Sequence, residues 1–280
     1  MGKTTLAVAA AVAAADAGRR TLLVTTDPAS HLEAVLESPV GDQPAPVVSV
    51  PNLDATRVDP EQETVRYTTT VLDDARRRYD PDTVSRLAVE LEAPCTEEVA
   101  VFRRFVDHVL EDTYDLVVFD TAPTGHALRL LALPLAYSRQ LAAKVSTGRA
   151  LEVGEAAAQA RLGEAIRRLR DPDRTLFALV VLPEGTPIAE GMRAAADLVS
   201  LGMGPRLVIA NQVLPRAVCG HPLFQKRRAL EEWYLGTLPA RFPAARVQVG
   251  PLQAEEVLGL PAIRRLAAEV FGPASDRILA

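Results

Sequence analysis

The sequence predicts an α/β fold: a doubly wound, mostly parallel sheet with helices on both faces. Three observations carry this. The runs at 21–25, 116–120, 175–182 and 206–210 are largely apolar on successive residues, as strands covered on both faces are. Between them lie stretches with helical spacing and helix punctuation, such as Asp59-Pro60, an N-cap followed by proline at the first helical position. Three runs deliver a polar side chain at their carboxyl ends, Asp27, Asp120 and Asn211, where open α/β sheets place their ligands. A chain of 280 residues, 48% hydrophobic and without an internal repeat, reads as one unit over 1–280 with a sizeable core.

In chain order, a first helix is predicted at 4–16, stopped by Gly18, and its alanines suit close packing on a sheet. Strand 21–25 follows. Residues 38–51 form a Pro/Gly-rich loop with a short strand at 47–50, and 53–58 is a further strand. A helical insertion at about 60–112 holds three helices, broken near Asp80-Pro81 and Ala93-Pro94, and is expected to sit over the ligand-bearing edge of the sheet. After strand 116–120 and the loop 121–126, a second helical segment occupies about 135–170, interrupted at Ser146-Thr147-Gly148. Strand 175–182, a helix to about 202, strand 206–210, helix 223–238, strand 246–249 and helix 261–271 complete the fold.

Composition excludes several classes. Net charge is −5, and the short basic runs Arg76-Arg77-Arg78 and Lys226-Arg227-Arg228 read as solvated helix faces, so no nucleic-acid partner is expected. Cys95 and Cys219 are too far apart in sequence to form a disulfide framework and fit a reducing cytoplasm. Residues 6–15 resemble the apolar part of a leader peptide, but a strand follows a few residues later, which a strand–loop–helix–strand unit explains and a leader does not. No apolar run approaches the roughly 18 residues of a membrane span.

Gly2-Lys3-Thr4 supply the last three positions of a phosphate-binding loop, G-x-x-x-x-G-K-[ST]. Such a loop joins a buried strand to a helix, and here the chain starts inside it, so the reading frame is expected to begin upstream with a central strand and Gly-Lys-Gly-Gly. Taken singly, Gly-Lys-Thr, Asp27-Pro28-Ala29 and Asp120-Thr121-Ala122-Pro123 are common turn and loop sequences. Their order places a phosphate loop and three polar ligands on one sheet edge, which is the arrangement nucleotide hydrolysis needs.

At this level the chain resembles a known family. GKTT, DPASHL, CTEEVAVF, DTAPTGHALRLL, LPEGTPIAEGMR, VIANQVLP and VGPLQAEEVLGL, in this order over residues 2–272, are similar to the ArsA-type ATPases. These are the arsenite-pump and tail-anchored-protein-targeting members of the deviant-Walker P-loop class. The resemblance implies ATP and Mg²⁺ as cofactors, a nucleotide-controlled homodimer, and either a membrane efflux partner or a client protein. It implies that Lys3 pairs with the β/γ-phosphates while backbone N–H groups from Gly2 to Thr5 cradle them. Thr4 would offer its hydroxyl to Mg²⁺, Thr5 would touch the α-phosphate, and Asp120 would hold a Mg²⁺-bound water. Asp27 matches the residue that orients or deprotonates the attacking water, with a helix N-cap as its plain alternative. Asn211 matches the residue that reads the adenine edge, with a simple turn residue as its alternative, and the backbone near Pro251 would line the base pocket. Thr124-Gly125-His126 would sense the γ-phosphate.

Other residues depart from the pattern. Ser30 stands where the family has a histidine, so that residue's role does not pass to His31. Cys95 sits in a C-T-x-E context similar to a metalloid-ligand cysteine of the pumps, whose other cysteine has no match at 135–170. Cys219-Gly220-His221 falls short of the C-x-x-C zinc motif of the targeting branch. The chain also has only Met1, Met192 and Met203, too few for a methionine-lined client groove.

Overall fold

The computed structural model describes residues 2–27, 31–93, 95–121, 153–218 and 220–272. Helix α1 (Lys3–Asp16) is apolar around most of its circumference, and Leu6, Val8, Ala9, Ala11, Val12, Ala14 and Ala15 are buried. It stops at Gly18, whose φ of 87° lies in the left-handed region where a Cβ is penalised. Strand β1 (Thr21–Thr25) is buried at every position. Helix α2 (Leu32–Leu36), β2 (Ala45–Pro46) and β3 (Leu53–Arg57) follow.

The three expected helices of the insertion are present as α3 (Pro60–Arg78), α4 (Pro81–Glu90) and α5 (Cys95–Val109). Asp59 and Asp80 cap the first two through side-chain bonds to Gln62 N and Thr83 N, so each Asp-Pro pair is a cap with proline in the first turn. Strand β4 is Leu116–Asp120 and helix α6 is Val153–Arg170. The remainder is β5 (Ala178–Val181), α7 (Gly185–Ser200), β6 (Leu207–Val213), α8 (Pro222–Arg241), β7 (Arg246–Pro251) and α9 (Gly259–Phe271). The expected loop 122–126 and the segment 135–152 lie outside the described residues.

Several details differ from the sequence reading: α2 is not among the expected elements, and β5 covers Ala178–Val181 rather than 175–182. The short strand lies at Ala45–Pro46, paired antiparallel with β3, rather than at 47–50. Val47 and Val50 instead close a turn, with Val50 N donating to Val47 O at 2.9 Å, and both side chains are buried in the core with α1 and α9. Strands β6 and β7 also run further than expected, so Asn211 and Pro251 are strand residues.

Hydrogen bonding divides the strands into a four-stranded sheet, β2-β3-β1-β4, and a three-stranded sheet, β5-β6-β7. Among the described residues no strand pairs with the outer edge of β4 or of β5. Side-chain alternation nevertheless gives both sheets the same two cores. Leu22 and Val24 of β1 share one face with Leu179 and Val181 of β5 and with Val208 and Ala210 of β6, under α5, α6 and α7. Leu23, Leu53, Ala55, Leu207 and Ile209 share the other face, under α1, α2 and α9. The layering is helix, sheet, helix, the doubly wound arrangement expected of a P-loop nucleotidase fold. Asp16 and Arg264 join α1 to α9 by a two-pronged ion pair at 2.7 and 2.8 Å.

Candidate nucleotide site

Gly2 caps α1 with φ 81° and ψ 27°, and no side chain caps this helix end. A non-glycine residue here would strain the backbone. The first turn contains no acidic residue, and its first N–H groups have no acceptor within the helix. Lys3, Thr4 and Thr5 begin the helix and are all partly buried. A short loop of this kind binds an anion through backbone donors.

The carboxylates arrive by strand register. β1 and β4 pair in parallel with Thr25 opposite Asp120, so both strands end together beside α1. Asp120 is 2% exposed and accepts a hydrogen bond from Thr25 Oγ1 at 3.2 Å, and a second from the Thr4 side chain. Asp27 N donates to the same Thr25 hydroxyl at 3.3 Å, and Thr26 N donates to Asp120 O at 2.9 Å. Burial raises the Asp120 carboxyl above the usual carboxylate range, opposed by the Thr4 and Thr25 hydrogen bonds. The charge of Asp27 raises it further, and that of Lys3 lowers it. Lys3, Thr4, Asp27 and Asp120 therefore act on one another at one place. Thr25 is the residue missed in the sequence, where threonine is ordinary strand composition. The signal lay in its position two residues before Asp27, at the last pair of the parallel ladder.

The donor set here is hydroxyl and carboxylate oxygen, with the Thr26 hydroxyl buried and unpartnered beside it. Hard oxygens of this kind suit Mg²⁺, with waters and phosphate oxygens completing the shell. Among the described residues no group of three His, Cys, Asp or Glu side chains could hold a metal without such help.

On the other side of Gly2 stands Asn211, 6% exposed. The β6–β7 register shifts between Ala210 and Val213, and Gln212 adopts φ 58°, which is unusual for a residue with a Cβ. A Cβ built on Gly2 would lie 2.6 Å from Asn211 Nδ2, and one built on Gly250 would lie 2.5 Å from its Oδ1. Pro251 pairs with Val213 at the end of β7. Helix α8 pins the end of β6: Glu231, 2% exposed, accepts from Leu214 N at 2.9 Å, and Arg228 donates to Leu214 O at 2.8 Å.

The remaining sequence candidates stand apart from this group. Cys95 is the first residue of α5 and is exposed. His221 caps α8, its Nδ1 accepting from Leu223 N at 3.2 Å, while Cys219 lies outside the described residues. His31 is exposed at the start of α2, and Ser30 and Thr124-Gly125-His126 also lie outside the described residues. His108 is buried in α5 with its Nε2 unpartnered.

Comparison with known proteins fits this arrangement. Residues 1–272 match the profile of the anion-transporting ATPase family. A Halobacterium salinarum protein assigned to the arsenical pump-driving ATPases is 42% identical over 282 residues, covering 97% of this chain and 43% of the relative. An Escherichia coli arsenical pump-driving ATPase is 38% identical over 95% of this chain and 42% of its own length. The chain thus spans less than half the length of these pump relatives. It spans 90% of a Paramecium tetraurelia protein, ATPase ASNA1 homolog 1, at 27% identity over 98% of this chain.

Proposed function

The chain belongs to the anion-transporting, ArsA-type ATPase family, and from that premise we propose that it hydrolyses ATP to ADP and phosphate with Mg²⁺, as a nucleotide-controlled homodimer in the cytoplasm. The observation that carries this reading is the convergence of Lys3, Thr4, Asp27 and Asp120 at the N-terminus of α1, with Thr25 bonded to both aspartates' positions. Lys3 and the free N–H groups of α1 bind and orient the β- and γ-phosphates. Thr4 and Asp120 would hold Mg²⁺, which supplies charge neutralisation on the β/γ oxygens. Asp27, fixed through its backbone by Thr25, orients the attacking water and takes its proton. Asn211 and the main chain at Pro251 receive the adenine edge.

Work done with the hydrolysis energy is read from the relatives. The pump-driving ATPases are the more similar, and among the described residues Met203 is buried and Met192 exposed, with no methionine-lined surface. Energising anion or metalloid efflux through a membrane partner is therefore favoured over targeting of a client protein. Cys95, exposed at a helix start, would supply one soft ligand for As(III), shared with a second copy.

The test is Mg²⁺-ATP turnover of the full-length protein against Asp27→Asn. A wild type no faster than the variant would leave a nucleotide-dependent scaffold in place of an enzyme. In the same assay, arsenite stimulation that survives Cys95→Ser removes Cys95 as its ligand.

A further inference from the structure

We infer that Asn211 is a positioning residue that holds the phosphate-loop glycine Gly2 against the ends of β6 and β7, and that Gly250 is the clearance that sets its rotamer. The inference rests on the reading of the α1 N-terminus as a phosphate site. It assigns Asn211 a task on the loop, separate from any contact with the base.

The side chain is enclosed on two sides by glycines. Its Nδ2 faces Gly2 so closely that a Cβ there would lie 2.6 Å away, and its Oδ1 faces Gly250 at 2.5 Å from the equivalent point. Gly2 needs glycine for its φ of 81° in any case. Gly250 does not, because its φ lies outside the left-handed region: among the described glycines only Gly2, Gly18, Gly202 and Gly259 fall there. What bars a side chain at 250 is the Asn211 amide itself, since the next neighbour, Val270 Cγ2, lies at an ordinary 3.5 Å. The absence of a Cβ at 250 is thus spent on one rotamer of one residue.

The strand is distorted to deliver that rotamer. Register shifts between Ala210 and Val213, and Gln212 is left at φ 58°, a conformation that strains a residue with a β-carbon. Bulges of this kind re-aim a side chain. The end of the distorted strand is then fixed to α8 by Glu231 and Arg228 through both polar groups of Leu214. An amide nitrogen is a donor, and the side it presents to the loop is the side of the main chain at Gly2. Asn211 therefore braces the main chain at Gly2 against the strand ends, and its loss lets the phosphate cradle move whatever base the nucleotide carries.

The experiment measures binding of ATP, GTP and inorganic tripolyphosphate to full-length wild type, Asn211→Ala, Gly250→Ala and the double variant, with thermal melts alongside. Asn211→Ala is expected to weaken all three ligands by a similar factor, about tenfold. Gly250→Ala is expected to do the same by displacing the amide, and to add nothing in the Asn211→Ala background. Asn211→Leu keeps the approximate shape without a donor or a charge, and is expected to weaken tripolyphosphate as Asn211→Ala does, which keeps the test valid if the alanine variant unfolds. A loss confined to ATP, with tripolyphosphate binding unchanged, would overturn the inference and leave base reading intact. So would a Gly250→Ala effect that persists in full without Asn211. A wild type that binds none of the three ligands would overturn the site reading, and the inference with it.

Discussion

Replacing Thr25 by valine keeps a β-branched side chain in β1 and removes one hydroxyl. That hydroxyl donates to Asp120 Oδ2 at 3.2 Å and accepts from Asp27 N at 3.3 Å. A hydrogen bond to a charged group contributes about 1.5–3 kcal/mol, and here it opposes the burial that raises the Asp120 carboxyl. Without it the ionised form loses that stabilisation, so below the titration the ionised fraction falls by about 10- to 100-fold. The proposed mechanism needs ionised Asp120. The acid limb of the kcat–pH profile in Thr25→Val should therefore move to higher pH. On the alkaline plateau only the loss of the bond to Asp27 N remains, about 1 kcal/mol or roughly fivefold. The sign for stability follows from the raised carboxyl: its protonated form favours the native state at low pH, and that contribution is lost as pH climbs through the folded-state titration. Thr25→Val should therefore be destabilised at neutral pH more than at acid pH. Steady-state ATPase rates from about pH 5 to 9 at saturating Mg²⁺-ATP decide the matter. An acid limb unmoved from wild type, with the whole profile merely scaled down, would refute the claim that Thr25 tunes Asp120.

Two further outcomes follow from buried groups. Glu231→Ala strips the partner from Leu214 N in a buried setting and releases Arg227, and should cost about 3 kcal/mol in urea unfolding, whereas Glu231→Gln retains an acceptor and should recover most of it. A change under about 1 kcal/mol for the alanine variant would mean that α8 is not held to β6 by this bond. His108 is lowered to about 4, by burial first and then by Arg104, against the raising influence of Asp107 and Glu111. Its neutral form thus supports the fold fully above about pH 6.5 and loses that support as pH falls toward about 4, worth about 3 kcal/mol in total. His108→Phe should flatten the acid side of the stability curve relative to wild type, and two parallel curves would contradict the assignment.

What the sequence made legible were the elements with continuous apolar runs. β1 and β4 read directly, because continuous apolar runs fit few other structures, and their carboxyl ends led to Asp27 and Asp120. Asp59-Pro60 and Asp80-Pro81 marked helix starts for a local reason, a side-chain cap and a proline lacking a donor. Asn211 was found but placed beyond its strand, because asparagine favours turns and the bulge that keeps it within β6 depends on pairing with β7. Gly250 fell outside the expected strand 246–249, and nothing local records that its missing Cβ makes room for a side chain 39 positions earlier. Thr25 was invisible for a similar reason. Its role arises from a register that brings residue 120 opposite residue 25, and a residue's own neighbours in sequence carry no trace of that.

The pairing of α1 with α9 has a consequence for how the chain is made. Asp16 and Arg264 are 248 positions apart, so at about 5–20 residues per second the ribosome takes on the order of 10–50 s between the two. Throughout that interval the alanine- and valine-rich surface that α9 covers has no partner on the nascent chain. The helix that carries Lys3 and Thr4 gains its full packing only once translation has passed residue 271, which ties the first functional residues of the chain to the last helix. Slowing synthesis within β7 and α9 would lengthen that exposure in proportion.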